Sequence, residues 1–372
     1  MKKSNKIIYL TYQSFPAKTA NSLQTISNIK YLVRNNTYVS LYFPLREQHS
    51  KVDLNTLKNF YQFDENFDVN GIKHFYPHGR IKIFKKSFYH ISHYLWSKNT
   101  IKKFFKNNTT DTFFTRSDWI TYFLAKQNSN VVFEVHQTSK IRSFVLKKIS
   151  KSSNVKIIFL NEKLKSDYKD LLKIENIVLH NAVDASLFKK NTKKDPKKII
   201  FLGRLSRFNE SRGIENIIEF FKDKDLKENY TLEIFGDSYE EVKNLKLLIM
   251  EKKLDNVIKV NNWLNQKEAI EHIEKAFFGL LINNPKNKHS YFYTSPLKYF
   301  EYLYANLKII AVDFPSHRNL PLNKYITFFK INNLESFKKA LNDSKMNQQP
   351  TYKELSSVTL EHRAKAILEF IF

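Results

Sequence analysis

The sequence predicts an α/β fold made of two doubly wound parallel sheets. Short apolar runs typical of strands alternate with helical patterns along almost the whole chain, as they do in βαβ units. A polar break from Asn191 to Pro196 interrupts this alternation once, and 372 residues exceed what one hydrophobic core usually holds. We therefore expect an N-terminal domain at residues 1–190, a C-terminal domain at 197–345, and a last helix within 350–372 that packs back on the first domain.

In the first domain the strand-like runs are short, and the segments between them repeat apolar residues at helical spacing. The predicted strands are Lys6–Tyr12, Tyr38–Phe43, Thr112–Thr115, Val131–Val135, Lys156–Leu160 and Ile177–Leu179. The predicted helices are Ala20–Asn35, Asp118–Gln127, Lys140–Ser150 and Lys163–Leu172. Because ligands of doubly wound sheets bind at the carboxyl ends of the strands, the residues that follow these strands are candidates for function.

The second domain repeats the same alternation. Its predicted strands are Lys198–Leu202, Tyr230–Phe235, Val257–Val260, Phe278–Ile282, Lys308–Val312 and Ile326–Phe329. Its predicted helices are Gly213–Lys222, Tyr239–Lys253, Gln266–Ala276, Ser295–Tyr304 and Leu334–Leu341, and the last helix of the chain is expected at Tyr352–Ile371.

The composition excludes several kinds of site. No apolar stretch reaches the roughly 18 residues that a membrane-spanning helix needs. The chain has no Cys, which excludes disulfides, a thiolate nucleophile and thiolate metal ligands. The His pairs with ligand-like spacing, His74 with His78 and His90 with His93, have no carboxylate nearby in sequence, so we expect no metal. The apolar run Ile7–Leu10 is too short for a signal peptide and predicts a cytoplasmic chain.

The net charge of +26 is concentrated in the N-terminal half. Residues 1–190 contain 27 Lys and 5 Arg against 13 Asp and Glu, a net charge of +19. The most one-sided part, Val69–Thr110, contains no acidic residue and nine basic ones: Lys73, Arg80, Lys82, Lys85, Lys86, Lys98, Lys102, Lys103 and Lys106. Large aromatic residues lie between them: Phe84, Phe88, Tyr89, Tyr94, Trp96, Phe104 and Phe105.

Basic and large aromatic residues on a helical pattern are typical of a surface that binds anionic membranes. Nucleic acid attracts the same charges, but no DNA- or RNA-binding motif accompanies them, so we expect no nucleic-acid partner. A solvated surface without any partner also explains the charge. We favour an anionic membrane surface over the solvated surface by a narrow margin.

The segment from Thr294 to Leu303 predicts an anion-binding helix start. Ser295 is a favoured N-cap residue, and Pro296 suits the first helical position. Unpaired backbone N–H groups and the positive end of the helix dipole make such a start a site for phosphate. Lys298 and Glu301 are three residues apart, so both lie near the first turns, where the carboxylate suits the hydroxyls of a ribose attached to that phosphate.

Six landmarks, each at a predicted strand end or helix start, follow one another in a family-specific order. They are Val132–His136, His180–Phe188, Phe201–Leu205, Arg212–Glu215, Ile234–Asp237 and Ser295–Tyr302. Together they resemble the retaining nucleotide-sugar glycosyltransferases of the GT-B fold, the group 1 or family-four type found in bacterial polysaccharide synthesis. The resemblance covers residues 130–312 closely and the first 130 residues in outline.

This resemblance implies two Rossmann-like domains with a cleft between them. It implies a cytoplasmic, metal-independent enzyme, peripheral at the inner face of the plasma membrane. The enzyme would move a sugar, with retention, from a nucleoside diphosphate sugar to a saccharide or lipid-linked saccharide acceptor. The nucleotide sugar is then a co-substrate, and no cofactor is expected. The oligomeric state, the sugar, the base and the acceptor are left open.

The resemblance also assigns roles to residues. His136, which follows a strand of the first domain, and the cations Arg204 and Arg212 are the expected catalytic residues. Two fixed guanidinium groups offset the charge that develops on the leaving diphosphate. The expected donor-binding residues are Gly203, Gly236, Asp237, Trp263, Ser295, Pro296, Leu297, Lys298 and Glu301. The expected acceptor loop contains Lys18, Thr19 and Asn21, with Thr19 or Asn21 capping the helix that follows.

One departure from the family pattern concerns the donor sugar. The family often has two glutamates eight residues apart, whereas Tyr293 stands eight residues before Glu301. Backbone N–H groups from Ser295 to Lys298 could replace the missing carboxylate, the sugar could differ, or activity could be lost. Two alternatives therefore stay open, a catalytically inactive subunit that binds a membrane or partner and a GT-B nucleotide-sugar epimerase. The joint presence of the Arg, Lys and Glu side chains at the anion site favours the transferase.

Overall fold

The computed structural model describes residues 6–75, 85–169, 173–189, 192–207 and 210–372, without the side chains of residues 85, 86 and 207. The chain forms two compact units. The first unit consists of residues 1–179 together with 360–372, and the second consists of residues 180–359.

The first unit contains a parallel sheet. In the described residues its strands are β1 (Lys6–Leu10), β2 (Tyr38–Leu45), β3 (Asp68–Lys73), β4 (Thr112–Thr115), β5 (Asn130–Val135), β6 (Val155–Phe159) and β7 (Asn176–Val178). Their order across the sheet is β3-β2-β1-β4-β5-β6-β7, and every neighbouring pair is parallel. Because the chain moves outward through β2 and β3 and then returns beside β1 with β4, the switch point lies between β1 and β4.

Five helices of the first unit begin after residues whose side chains accept hydrogen bonds from the first turn. Along the chain from β1 to β7 the helices are α1 (Ala20–Arg34), α2 (Leu54–Tyr61), α3 (Lys85–Phe104), α4 (Asp118–Lys126), α5 (Lys140–Ile149) and α6 (Glu162–Asp167). Thr19, Asp53, Ser117, Ser139 and Asn161 are the N-caps of α1, α2, α4, α5 and α6. These short polar side chains satisfy N–H groups that no helical carbonyl reaches, which fixes where each helix starts.

In the residues that the structure describes, the second unit contains a second parallel sheet and one small antiparallel pair of strands, the β9–β10 hairpin. The strands are β8 (Asp195–Leu202), β9 (Ser206–Arg207), β10 (Glu210–Ser211), β11 (Thr231–Phe235), β12 (Ile258–Asn261), β13 (Ala276–Leu281), β14 (Lys308–Val312) and β15 (Ile326–Phe329). The sheet order is β12-β11-β8-β13-β14-β15, and β9 pairs with β10 antiparallel. Its switch point lies between β8 and β13.

Helices cover both faces of this second sheet. They are α7 (Ile214–Phe220), α8 (Lys224–Asn229), α9 (Tyr239–Glu251), α10 (Gln266–Lys275), α11 (Lys288–Phe292), α12 (Leu297–Tyr304), α13 (Pro315–Arg318), α14 (Leu334–Lys345) and α15 (Tyr352–Ser357). Two apolar cores result, one on each face, and alternating residues of β8 belong to different cores. Ile199 and Phe201 pack into one, whereas Ile200 and Leu202 pack into the other.

The two units meet in sequence between Leu179 and His180, earlier than the boundary predicted at 190–197. The reason is that residues 180–189 are tied to the second sheet and its helices. The N–H of Val183 donates to the carbonyl of Val358 at 3.0 Å. The N–H of Lys189 donates to Glu274 Oε1 at 2.6 Å. Residues 190 and 191 of the predicted linker lie outside the described residues.

The single last helix predicted at Tyr352–Ile371 is wrong, because the structure has two. Helix α15 ends at Ser357 in the second unit, and α16 (Leu360–Ile371) belongs to the first. Thr359 forms a parallel bridge with Val183 between them, and this extended backbone interrupts the helix. Helix α16 packs on the first sheet and its helices, where Lys156 Nζ donates to the carbonyl of Phe370 at 2.7 Å.

Candidate functional site

The predicted donor residues of β8 and β11 lie next to each other at the carboxyl edge of the second sheet. Gly203 and Arg204 follow β8, and Gly236 and Asp237 follow β11. The N–H of Gly203 donates to the carbonyl of Phe235 at 3.1 Å, which continues the pairing of the two strands to their ends. Both dipeptides are therefore at the edge where doubly wound sheets bind ligands.

Gly203 is required by both its conformation and its surroundings. Its φ is +150°, and a Cβ at this position would lie 3.0 Å from Arg212 Nη1. Glycine therefore allows the Arg212 guanidinium to approach the end of β8. At Gly236 a Cβ would lie 2.8 Å from Leu205 Cδ1, so this glycine permits close packing of the loop after β8.

Arg204 and Asp237 form an ion pair at the surface. Arg204 Nε lies 3.1 Å from Asp237 Oδ2, and the two side chains are 59% and 33% exposed. The structure thus brings together two residues that the sequence placed in the same site. Because an exposed ion pair contributes little to stability, Arg204 can exchange Asp237 for an anionic ligand at small cost.

Arg212 is held more firmly than Arg204. Its Nε donates to Asn283 Oδ1 at 2.9 Å, and its Nη2 donates to the carbonyl of Ile282 at 3.0 Å. The guanidinium carbon lies 5.6 Å from the centre of the Phe201 ring. These contacts fix a positive charge beside the switch point of the second sheet, where it is preorganised for an anion.

The prediction that Ser295 caps the helix is wrong. The N-cap is Pro296, helix α12 begins at Leu297, and no side chain caps it. The side chain of Ser295 serves another segment instead: its Oγ accepts from the N–H of Asn181 at 3.3 Å. Asn181 Nδ2 in turn donates to the carbonyl of Ser295 at 2.5 Å. The start of α12 therefore keeps backbone N–H groups that no side chain satisfies, which preserves the predicted phosphate site.

Lys298 and Glu301 contact each other on α12. Lys298 Nζ lies 2.6 Å from Glu301 Oε2, and the Glu301 side chain is only 6% exposed. The pair orients the carboxylate near the start of the helix. Tyr302, one residue further, anchors α12 to the sheet, because the N–H of Leu202 donates to its hydroxyl oxygen at 3.2 Å.

Tyr293 and Trp263 differ sharply in exposure. Tyr293, which stands where the family has its first glutamate, is 1% exposed and is part of the interior. Trp263 follows β12 and is 50% exposed. An exposed indole at the carboxyl edge of the sheet is a suitable stacking surface for a nucleobase.

Sequence reasoning missed two asparagines of this edge, Asn283 and Asn181. Asn283 is 1% exposed and fixes Arg212, while Asn181 is 8% exposed and fixes the segment before α12. A signal for Asn283 was present, since a polar residue directly follows the apolar strand β13 and Ile282. Asn181 belongs to a recognised landmark, but its partner is 114 residues away and no local pattern reveals it.

In the first unit, His136 follows β5 and lies beside the buried carboxylate of Glu134. His136 Nε2 is 2.9 Å from Glu134 Oε2, and the two side chains are 22% and 0% exposed. Arg116 Nε donates to the same carboxylate oxygen at 2.5 Å. Burial and the charge of Arg116 lower the pKa of His136 to about 4, against the opposing effect of Glu134. The imidazole is therefore neutral at neutral pH and suited to hydrogen bonding.

The predicted acceptor loop precedes α1. Thr19 caps α1 as predicted, accepting a hydrogen bond from the N–H of Ser22 at 3.1 Å. Asn21 does not cap the helix; its Oδ1 accepts from Arg116 Nη1 at 2.7 Å. Lys18, Thr19 and Asn21 are exposed. Arg116 thus connects the loop before α1 to the carboxylate that contacts His136.

Two further observations concern ions and membranes. In the residues that the structure describes, no group of three or more His, Asp or Glu is arranged to hold a metal ion, and His78 lies outside them. No helix among those residues is both long and apolar enough to cross a bilayer.

The comparisons with known proteins concern the family and the fold. The family model described as glycosyl transferases group 1 matches residues 182–357. A sequence comparison with curated proteins gives no match.

Solved structures are similar to the whole chain. A sucrose-phosphate synthase from Thermosynechococcus elongatus has a TM-score of 0.67 and 12% identity, covering 99% of this chain and 95% of that one. A trehalose-6-phosphate synthase studied for glycosyl transfer with retention has a TM-score of 0.65 and 9% identity, with 99% of each chain covered. WaaG, a glycosyltransferase involved in lipopolysaccharide biosynthesis, has a TM-score of 0.59 and 13% identity, with 96% and 95% covered. The second unit thus resembles the glycosyl transferases group 1, and over its whole length the chain has the GT-B fold of two Rossmann-like units, as the sequence predicted.

Proposed function

We propose that this chain transfers a sugar, with retention, from a nucleoside diphosphate sugar to a saccharide or lipid-linked saccharide in bacterial cell-surface polysaccharide or glycolipid synthesis. The observation that carries the proposal is a pair of arginines, Arg204 after β8 and Arg212 after β10. Arg204 is exposed and exchangeable, whereas Arg212 is fixed by Asn283 at 2.9 Å. Two such cations at a switch point suit the diphosphate of a donor better than any single-charged ligand.

The donor would use the carboxyl edge of the second sheet. Arg204 and Arg212 would stabilise the negative charge that develops on the departing nucleoside diphosphate, so that no metal is required. The N–H groups at the start of α12 would bind a phosphate, and Glu301 would accept from the ribose hydroxyls. Trp263 would flank the base. Gly203, Gly236 and Asp237 shape this edge, and Ser295, Pro296, Leu297 and Lys298 position the helix start.

Support for retention and for the acceptor class comes from the structural neighbours. One of them was studied for glycosyl transfer with retention, and another acts in lipopolysaccharide biosynthesis. In this chain His136 would contact the transferred sugar, and Lys18, Thr19 and Asn21 would face the acceptor. These assignments rest on the family resemblance and on the places of the residues at strand ends and before α1.

An anionic membrane surface is the proposed location of the acceptor. Helix α3 carries Lys98, Lys102 and Lys103 at exposed positions, and Lys106 is exposed just beyond it. The interleaved aromatics are only partly available: Trp96 and Phe105 are 1% and 5% exposed and belong to the core, while Phe104 is 52% exposed. Electrostatic attraction would therefore contribute more than aromatic insertion. Arg80, Lys82 and Phe84 of the same run lie outside the described residues.

A ligand screen tests the donor assignment. Nucleoside diphosphates and their sugars are added to the full chain, and the unfolding temperature is measured, because a ligand that binds only the folded state raises it. We expect one base to stand out, with the same shift when EDTA is present. The stabilising nucleotide sugar is then incubated with candidate acceptors, and NMR determines the anomeric configuration of the product.

Three results contradict parts of the proposal. If no nucleotide shifts the unfolding temperature, the donor site is wrong and the inactive subunit becomes the better assignment. Release of an epimerised nucleotide sugar without any acceptor supports the epimerase instead. A product of inverted configuration overturns retention alone.

A further inference from the structure

A cluster of polar and aromatic side chains lies at the carboxyl edge of the first sheet. Its members follow four neighbouring strands: Tyr12 follows β1, Arg46 follows β2, His74 follows β3 and Ser117 lies just beyond β4. Tyr12 Oη is hydrogen bonded to His74 Nε2 at 2.9 Å. The Tyr12 ring stacks on that of His93 in α3 with 4.1 Å between the ring centres, and His93 Nε2 lies 2.6 Å from Ser117 Oγ. The cluster therefore lies at the edge where doubly wound sheets bind ligands.

Arg46 packs against this cluster and is mostly buried. Its guanidinium carbon lies 4.7 Å from the centre of the Tyr12 ring and 5.8 Å from that of Tyr89. Its Nε donates to Ser14 Oγ at 2.9 Å, and its side chain is 13% exposed. Ser14 begins the segment that leads to Lys18, the first residue of the predicted acceptor loop. Arg46 is therefore next to that loop.

One end of the Arg46 guanidinium has no hydrogen-bond partner. Its Nη1 is a buried atom, and no acceptor among the described residues lies within hydrogen-bond distance of it. The faces of the neighbouring rings attract the cation, but they do not accept a hydrogen bond in the plane of the guanidinium. A buried donor without a partner is uncommon in folded proteins, because the group has lost its hydration and gained nothing in return.

Two further buried polar atoms lie without a described partner on the loops after β1 and β2. They are Gln13 Oε1 and Ser50 Oγ. The two loops are neighbours, because the N–H of Lys51 donates to the carbonyl of Phe15 at 3.0 Å. Together with the Arg46 nitrogen, these atoms give the adjoining loops three buried polar atoms that a polar ligand would satisfy.

The charge of Arg46 has little compensation. Among the described residues, Glu47 is the acidic residue within ion-pair distance, and its Oε1 lies 3.5 Å from the Nε that already donates to Ser14. The other neighbours are neutral, because burial raises the pKa of Tyr12 and lowers the pKa of His93 to about 3. A mostly buried cation among neutral groups is stabilised by an anion that approaches it.

We propose that Arg46 binds an anionic group of the acceptor, a phosphate or a carboxylate, through Nη1. An anionic oxygen is a suitable partner, since its hydrogen bond to a guanidinium is roughly twice as strong as one between neutral groups. A neutral saccharide would offer only the weaker bond. The inference rests on the proposed function for naming the ligand as the acceptor, because the loop of Lys18, Thr19 and Asn21 adjoins Arg46. The anion site itself is independent of that function.

An NMR titration of the full chain tests the site without any turnover. The Nε–H signal of Arg46, identified with Arg46→Lys, is followed while glucose 1-phosphate, glucuronate or glucose is added. At least one of the two anionic probes should shift the signal to saturation, whereas uncharged glucose at the same concentration should not. A saturable shift with the phosphate alone supports a phosphorylated acceptor, and one with the carboxylate alone supports an acidic sugar.

Arg34 is a matched control in the same unit. Its guanidinium carbon lies 4.6 Å from the centre of the Tyr31 ring, but its Nε donates to Glu65 Oε1 at 2.5 Å. Its signal should therefore stay in place. In Arg46→Gln the affinity for the anionic probe, measured at the backbone amide of Ser14, should fall by about tenfold or more. Arg34→Gln should bind the probe as the parent does.

Three results overturn the inference. The first is a parent protein in which neither anion shifts the Arg46 signal. The second is equal affinity in the parent and in Arg46→Gln, and the third is an equal loss of affinity in Arg34→Gln. If Arg46→Gln does not fold, the titration of the parent decides, since a signal that does not shift again overturns the inference.

Nucleotide binding and turnover separate this inference from the proposed function. If an anion shifts the Arg46 signal but no nucleotide raises the unfolding temperature, the anion site is supported and the transferase is overturned. With an anionic acceptor, Arg46→Gln should raise the KM for the acceptor by about tenfold or more. The KM for the donor should stay near the parent value, because the donor residues lie in the second unit. Transfer with an unchanged KM for the acceptor in Arg46→Gln would support the transferase and overturn the inference.

Discussion

Arg212 donates from Nε to the side-chain oxygen of Asn283 at 2.9 Å, so an arginine after the β9–β10 hairpin is fixed by a residue just beyond β13. These segments flank the switch point of the second sheet. Arg212 can therefore meet a diphosphate without first being ordered, which lowers the entropic cost of binding. Asn283 is 1% exposed and has no access to a ligand in this arrangement, so it acts through the arginine.

The first prediction follows from this contact. Asn283→Ala should weaken nucleoside diphosphate binding by about tenfold or more, since a hydrogen bond to a charged group contributes roughly 1.5–3 kcal/mol and about 1.4 kcal/mol is a factor of ten. Arg212→Ala should weaken it more. In the double variant the two effects should not add, because both act through one guanidinium. Calorimetric titration of the parent, the two single variants and the double variant gives the binding constants for this double-mutant cycle. Strictly additive effects would show that Asn283 acts independently of Arg212.

A second prediction concerns Arg204, which is 59% exposed and paired with Asp237. Arg204→Ala should lower turnover at least tenfold and weaken nucleoside diphosphate binding, because a charge-assisted contact to the diphosphate is lost. Arg318 is a matched control, since it pairs with Asp313 at similar exposure, 56% and 37%. Arg318→Ala should leave both turnover and nucleoside diphosphate binding at the parent values. Equal binding by Arg204→Ala and the parent would remove Arg204 from the donor site.

A site residue can be predicted from the sequence when the evidence for it lies in the neighbouring residues. Arg204 and Asp237 follow apolar strands directly, and a residue after a strand of a doubly wound sheet is predictable without knowing the fold in detail. The predicted capping role of Ser295 is wrong because the contact that decides it is distant in sequence. Its partner Asn181 is 114 residues away, and the hydrogen bond between them takes the side chain from the helix that it would otherwise cap.

The secondary structure, too, was predicted where it depends on local sequence and missed where it depends on distant contacts. The core strands were predicted because they are apolar runs with clear limits, but β3 was missed because its sequence, Asp-Val-Asn-Gly-Ile-Lys, alternates weakly at an edge. The prediction of a single last helix is wrong because the bridge between Val183 and Thr359, which interrupts that helix, is a tertiary contact. The partners of Glu134 are equally invisible, since Arg363 lies 229 residues away.

A third prediction tests the ribose contact of Glu301. Glu301→Gln should weaken nucleoside diphosphate binding by about tenfold, while binding of inorganic pyrophosphate, which has no ribose, should stay unchanged. Removing the 2′- and 3′-hydroxyls of the nucleotide should weaken binding to the parent but not further in Glu301→Gln. Competition binding gives the dissociation constants of the nucleotide, its dideoxy analogue and pyrophosphate for both proteins. Loss of pyrophosphate binding in the variant would mean that Glu301 acts by orienting Lys298, 2.6 Å away.

A fourth prediction concerns acid stability. Burial lowers the pKa of His93 to about 3 and of His317 to about 4. Between about pH 6.5 and 4 the unfolded chain binds protons that the folded chain does not, so the free energy of unfolding falls as the pH falls. The slope is about 1.4 kcal/mol per pH unit for each such histidine. Urea unfolding at pH 5, 6 and 7 should show a smaller slope in His317→Gln than in the parent.

His49 provides the control for that measurement because it is exposed in the first unit. His49→Gln should leave the pH dependence of unfolding unchanged. A parent protein whose free energy of unfolding is equal at pH 5 and 7 would contradict the neutral, buried state of His93 and His317.

The last prediction concerns the membrane. Lys102, Lys103 and Lys106 are exposed at the end of α3 and just beyond it. Each lysine near an anionic surface contributes about 1 kcal/mol, and the attraction falls off within a Debye length. Changing all three to Gln should therefore release the protein from vesicles rich in phosphatidylserine at moderate salt, as measured by co-sedimentation. Donor binding should persist, because the donor residues lie in the second unit.

The matched control is a triple variant in which Lys243, Lys246 and Lys253, which are exposed in the second unit, are changed to Gln. This control protein should still bind the vesicles. Equal loss in both triple variants would indicate attraction by net charge alone. A parent that ignores these vesicles would favour a soluble acceptor, because the basic surface of the first unit would then have no lipid partner.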